Sequence, residues 1–200
     1  RKRYSLPEFH CMQGIFAELP KLRDSNPDKY LVRLLGLFVG LRPGEIKYLR
    51  KNRIRYSGYW KVDIEVTPDF VPKLYQERSI LIPEKLGEHI LDMCKANGSL
   101  YVLSGDEAYR TDQIFREINP HLRDNYLPDV NRPSYEMRKF YASASKVAIG
   151  LEITHDRMGH ESPSTTKKYY IDKNTPQKLV DVYNEYAEKL FGDIAFIKQA

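Results

Sequence analysis

Along SNPDKYLVRLLGLFVGL, residues 25–41, apolar side chains fall at nearly every inward position of a helix, with Asn26 or Ser25 set to cap it and Pro27 in its first turn. The pattern breaks at GLRPGE. Pro43 and Glu45 favour a fresh start, PGEIKYLRKN, which leaves Arg42 in a tight junction between two helices. Next, YWKVDIEV (59–66) alternates and is β-branched, ERSILIP (77–83) does likewise, and TPDFVPKLYQ joins them, so a hairpin with a long loop is expected. Helices are expected at 84–95 and 111–118, followed by a polar, proline-bearing loop, NPHLRDNYLPDVNRP. SYEMRKFYASASKVAIG then reads as a serine-capped helix closed by a glycine. In the tail TPQKLVDVYNEYAEKLF, Leu179, Val182, Tyr183, Tyr186 and Leu190 share one stripe. The sum is a mainly α chain with a small antiparallel β-hairpin, an α+β class.

Composition narrows this reading. With 200 residues and 42% hydrophobic content, one domain over 1–200 is expected, with 1–8 as a linker remnant and 175–200 as a helical tail. The longest apolar stretch, LLGLFVGL, is far shorter than the roughly 20 residues a bilayer span needs, and no signal-peptide pattern opens the chain, so a soluble, cytoplasmic protein is expected. Cys11 and Cys94 form no CxxC and join no ligand cluster, so neither a disulfide framework nor a metal site is indicated. Charge is uneven: residues 1–55 hold thirteen Lys or Arg against five Asp or Glu. It concentrates in KYLRKNRIR, where Lys47, Arg50, Lys51, Arg53 and Arg55 alternate with apolar residues in a way that suits a phosphate backbone. A solvated helix end and strand start is the plainer reading of that run.

GLRPGEI, YEMRKFYASA and MGHESPSTTKKYY occur in that order, and on them the chain resembles the catalytic domain of the tyrosine recombinases, or phage integrases. The resemblance runs from Leu41 to Tyr169. It implies that family's catalytic-domain fold, double-stranded DNA as partner, no cofactor, and assembly as a homotetramer on DNA through the carboxy-terminal tail. Carried over by position, Arg42 is the first arginine, Glu45 its acidic support, Arg138 the second arginine, His160 the histidine after glycine, and Tyr169, nine residues on, the nucleophile. Lys73 corresponds to the hairpin lysine of KGNKER-like loops, with Lys61 as the competitor. Tyr135 stands where the family has a histidine, as in some archaeal viral and plasmid integrases. No counterpart of the family's amino-terminal DNA-clamping domain is expected among these 200 residues.

The chemistry accounts for these residue types. Breaking a phosphodiester without metal or ATP requires a nucleophile, cations for the charge that develops, and a proton for the leaving 5′ oxygen. Arg42 and Arg138 can offer paired N–H donors to the non-bridging oxygens, Lys73 can protonate the leaving oxygen, and His160 and Tyr135 can donate to the phosphate. Attack by Tyr169 gives a 3′-phosphotyrosine, with Tyr170 turned away. Taken singly, Arg42 could satisfy carbonyls at a helix junction, Arg138 could be a surface side chain and Lys73 a solvated one. Two rival functions stay open: a type IB topoisomerase-like nicking and resealing enzyme, and a DNA-binding protein with a decayed site, which Tyr135 favours.

Overall fold

In the computed structural model, which describes residues 3–160 and 162–198, the chain begins with α1 (Phe9–Ala17) and α2 (Leu19–Ser25). The expected buried helix follows as α3 (Pro27–Leu34). The Asn26 side chain accepts from the Lys29 N–H at 3.0 Å, so its cap is the one the sequence suggested. Beyond Leu34 the helix widens into a π turn, Leu35–Val39, and ends at Gly40, whose φ is +72°. A β-carbon there would lie 2.3 Å from the Tyr141 ring, so both conformation and space demand glycine. The chain then restarts as α4 (Pro43–Lys47), shorter than expected.

The hairpin is present and has an extra strand. β1 (Ile54–Tyr56), β2 (Trp60–Ile64) and β3 (Arg78–Leu81) form one antiparallel sheet in that order, with Val62 opposite both Ile54 and Ile80. α5 (Glu84–Cys94) follows, then a π turn at Tyr109–Gln113 that leads into α6 (Ile114–Asn125). The start of the expected polar loop is therefore helical, with Pro120 inside α6. Burial of Leu122, which continues the stripe of Ile114 and Ile118, offsets the roughly 3 kcal/mol that an interior proline costs. α7 (Pro133–Ile149) begins two residues early, and Ser134 is not its cap; instead Asn119 on α6 accepts from the Ser134 N–H at 3.0 Å.

α8 (Leu151–Met158) ends at Gly159, α9 (Pro163–Tyr169) is capped by Ser162, and α10 (Gln177–Phe191) forms the tail. One contiguous core runs from Met12 to Phe196. The tail stripe lies within it: Tyr183 meets Phe16 and Phe38 edge-on, and Leu179, Val182, Tyr186 and Leu190 are buried beside it. The stripe of the tail, through which the resemblance implied assembly, is thus buried against this chain's own core. Within the expected linker remnant, the Tyr4 N–H donates to Lys168 O at 3.1 Å and the Leu6 N–H to the Asp172 carboxylate at 2.6 Å. The outermost two residues of that remnant and of the tail lie outside the described residues. No helix among the described residues is long and apolar enough to cross a membrane.

Candidate active site

Three segments distant in sequence meet on the carboxylate of Glu45. It accepts from the Arg42 N–H at 2.7 Å and guanidinium at 2.8 Å, and from both terminal nitrogens of Arg78 at 2.8 and 2.9 Å. Arg138 stands 4.0 Å from it. Burial alone would push this carboxyl up, but the Arg78, Arg138 and Arg42 charges hold it at about 2. Glu45 is therefore an anion that fixes three cations, the support role the sequence assigned it for two.

Arg42 and Arg138 also share backbone partners. Arg42 donates to Met158 O at 3.3 Å and Gly159 O at 3.1 Å; Arg138 donates to Gly40 O at 2.5 Å, to Met158 O, and to His160 Nε2 at 3.3 Å. Gly159 makes this possible: at φ +56° it turns the chain out of α8, and a β-carbon there would press on Arg78 at 2.8 Å. Burial, with the Arg42 and Arg78 charges alongside, lowers Arg138 to about 10, which leaves it cationic at neutral pH. Burial and the Arg138 and Arg42 charges push His160 down to about 3, so its imidazole is neutral at pH 7. With Nε2 accepting from Arg138, the other nitrogen carries the proton and donates to Thr166 Oγ1 at 2.6 Å; that hydroxyl can donate onward to His155 Nδ1 at 3.3 Å.

The two tyrosines are placed the other way round from the expectation. Tyr170 faces the cluster: its ring lies 4.2 Å from the His160 ring and 5.5 Å from the Arg138 guanidinium, and its hydroxyl meets that of Tyr135 at 2.5 Å. Ser143 holds it there, donating to Tyr170 O at 3.2 Å and accepting from the Asp172 N–H at 3.1 Å. Burial and the Tyr135 hydroxyl push Tyr170 up to about 12. Tyr169 makes no side-chain hydrogen bond among the described residues and has the Lys168 ammonium 5.2 Å from its ring. Spacing fixes which residues lie near each other, but the rotation of a two-turn helix is set by packing, here by Ser143 and Tyr135. Under Tyr170, Arg138 is 0% exposed, whereas the Arg42 side chain keeps 12%.

Of the two lysines, Lys61 lies in β2 with its ammonium 3.3 Å from Asp63. Lys73 is exposed on the β2–β3 loop and lines, with Tyr135, both a cleft of about 590 Å³ over Arg42 and an adjoining one of about 1120 Å³. In the basic run, Arg50, Arg53 and Arg55 are bound to Asp69, Glu65 and Asp63 respectively. Acids on β2 and the following loop thus offset three of its five charges, so the run is partly a sheet-edge ion network. Lys47 sits over the Phe115 ring and lines the smaller cleft with Arg123 and Arg132, which sequence reasoning left out because they lie in a stretch it read as plain loop. Arg78 was missed too. Its signal was phase: on β3 it points the same way as the buried Ile80, so a charge was bound to need an acid inside.

Glu45→Gln is expected to destabilise the protein by about 3–5 kcal/mol, because it strands buried arginines. The folded pKa lies below the ordinary 4.5, so the carboxylate's contribution is complete above that value and is lost as pH falls toward about 2. Urea melts of both proteins should therefore converge on acidification, and a constant difference between them would show that Glu45 acts through packing alone.

No family model matches this chain, and no curated protein matches it in sequence. Solved structures match its shape. Against a XerA recombinase the TM-score is 0.57 at 16% identity, over 83% of this chain and 59% of that one. Against the Tn1549 transposon integrase in complex with a circular intermediate DNA it is 0.60 at 13%, over 83% and 60%. Against a lambda integrase dimer bound to a COC′ core site it is 0.54 at 15%, over 84% and 49%. The chain therefore has the tyrosine recombinase catalytic-domain fold, and it spans half to three fifths of the length of the structures it matches.

Proposed function

We propose that this domain cleaves and rejoins duplex DNA through a 3′-phosphotyrosine, as the catalytic part of a site-specific recombinase or integrase. The observation that carries the reading is the convergence of Arg42, Arg78 and Arg138, from three chain segments, on one buried carboxylate, with His160 against Arg138 and two phenols alongside. Two guanidiniums held by a single anion are preorganised for a phosphate that passes through a more highly charged state, and preorganised cations act where charge develops. The fold supports the reading: the Tn1549 and lambda integrases that share it were solved on DNA. Assembly of four copies on the site, through the carboxy-terminal tail, belongs to the same proposal.

In the mechanism, Arg42 and Arg138 bind the non-bridging oxygens, trading backbone carbonyls for phosphate. Lys73, at the cleft mouth with no ion pair among the described residues, protonates the leaving 5′ oxygen. Tyr169 attacks and its proton leaves to solvent; the His160 imidazole, held down to about 3, is too weak a base to take it and helps hold Arg138 through Nε2. Tyr170 in its present position covers Arg138, so it withdraws before phosphate enters.

The test is a nicked duplex that traps the covalent intermediate, incubated with chelator and without ATP. A protein–DNA band that survives denaturation is expected; binding without any such band would leave a DNA-binding protein. On the same substrate, Tyr135→Phe should slow adduct formation roughly ten- to a hundredfold through loss of one donor to the phosphate. An unchanged rate in single-turnover measurements would restrict Tyr135 to holding Tyr170.

A further inference from the structure

The loop between β2 and β3 is built in two unlike halves. Its first half is pinned: the Asp69 carboxylate accepts from Arg50 at 2.8 Å, from the Thr67 hydroxyl at 2.8 Å and from the Tyr101 hydroxyl, and Phe70 stacks on Tyr48 with ring centroids 5.6 Å apart. Its tip is bare. Leu74 is 58% and Tyr75 75% exposed, next to Lys73. Both take left-handed backbone conformations, φ +59° and +54°, and among the described residues they are the only non-glycines that do.

A β-carbon strains that conformation, and glycine or asparagine would occupy it readily. The chain instead spends two strained positions on presenting a leucine and a tyrosine to water, the least rewarding place for apolar surface. A partner that takes up both side chains removes the second of these costs. What that partner is follows from the cleft beneath the tip. Arg42, Lys47, Lys73, Arg123 and Arg132 line it, and Glu45, the one acid among its described lining residues, is already engaged by arginines. The partner is a polyanion, and a polyanion with apolar faces thin enough to admit a leucine and a phenol edge is a stack of bases.

We infer that Leu74 and Tyr75 form a wedge that enters a base step of duplex DNA from the minor groove, next to the phosphate bound by Arg42. The inference rests on the DNA-cleavage reading and adds a specificity element to it. Inserting an apolar side chain unstacks and kinks the step, and flexible pyrimidine–purine steps yield most easily. The domain then favours TpA and CpA beside the cleaved bond without touching base edges. The pinned first half of the loop supplies the rigid base a wedge needs, and the kink brings the sugar–phosphate of that step to Lys73.

The probe is a fluorescein-labelled duplex with 2-aminopurine in several TpA and CpA steps, read by anisotropy for binding and by 2-aminopurine emission for unstacking. Wild-type protein should raise the emission several-fold as it binds. Leu74→Gly/Tyr75→Asn relieves both strained positions, so it should melt no lower than wild type, bind nearly as tightly and leave the emission flat. Its adduct formation on a nicked duplex should slow, and a mismatch that pre-opens the step should restore the rate, a rescue that a merely structural role would not show. Wild-type binding with no rise in emission overturns the wedge; an adduct in that same sample would leave the cleavage reading standing. A rise in emission with no adduct on any nicked duplex would instead sink the cleavage reading and keep the wedge. If the tip drove self-association in sedimentation without DNA and emission stayed flat, it would be a contact between protein copies and the inference would be wrong.

Discussion

Replacing Arg138 by lysine should lower the rate of covalent adduct formation by about a hundred- to a thousandfold while the protein stays folded and binds DNA nearly as before. Lysine keeps the positive charge that Glu45 needs, but its single ammonium cannot engage two phosphate oxygens in a fork, nor span Gly40 O and Met158 O as Arg138 does. Alanine is the less informative variant. Sequence alone left Arg138 open to being a surface side chain, yet at 0% exposure its loss unpairs the Gly40 carbonyl, costing about 1–3 kcal/mol, takes one of two donors from Met158 O and weakens the hold on Glu45. Arg138→Ala should therefore lose cleavage and melt well below wild type. Adduct kinetics read with circular dichroism separate the two effects: a folded lysine variant with unaltered rate would remove Arg138 from the chemistry.

The residues of the site were legible because their spacing is carried by short local elements. Gly40 before Arg42, Pro43 and Glu45 after it, and Gly159 before His160 each dictate a turn or a helix start that needs no distant information. Asn26 and Pro27 mark α3 for the same reason. What depends on packing was not legible. β1 hides at the end of a basic run, with Ile54 as its one buried residue, and α1 buries Met12, Ile15 and Phe16 on a face too short to stand out beside its polar neighbours. α6 runs through Pro120 because Leu122 has a core to enter, a fact only the tertiary fold supplies. The partners of Arg50, Arg53 and Arg55 lie across the sheet and its loop, so a stretch that reads as phosphate-binding charge is partly spent within the protein.

The same limit governs the pair of adjacent tyrosines, and it gives the second large effect: Tyr169→Phe should abolish the covalent band on a nicked duplex, and Tyr170→Phe should keep it. Tyr169 is the last residue of α9 and Tyr170 its C-cap, so their side chains diverge and one phenol at a time faces the arginines. In this structure it is Tyr170, whose ring covers Arg138 and whose hydroxyl is tied to Tyr135. That position would exclude a phosphate from the cation proposed to bind it, and burial with the Tyr135 hydroxyl raises the Tyr170 phenol to about 12, which disfavours the phenolate a nucleophile needs. On the proposed mechanism a nucleophile approaches phosphorus with both arginines already on the oxygens, which requires Tyr170 to leave as α9 turns and Tyr169, nine residues from His160, to take the facing place. Tyr170→Ala goes further. With the cover gone and Tyr135 released, adduct formation should be at least as fast as wild type, provided the Ser143 contacts still hold the backbone at residues 170–172. A band lost in Tyr170→Phe and kept in Tyr169→Phe would make the structure's present arrangement the reactive one and move the nucleophile by one residue. A band surviving in both would place the attacking group outside this helix and withdraw the phosphotyrosine mechanism with it.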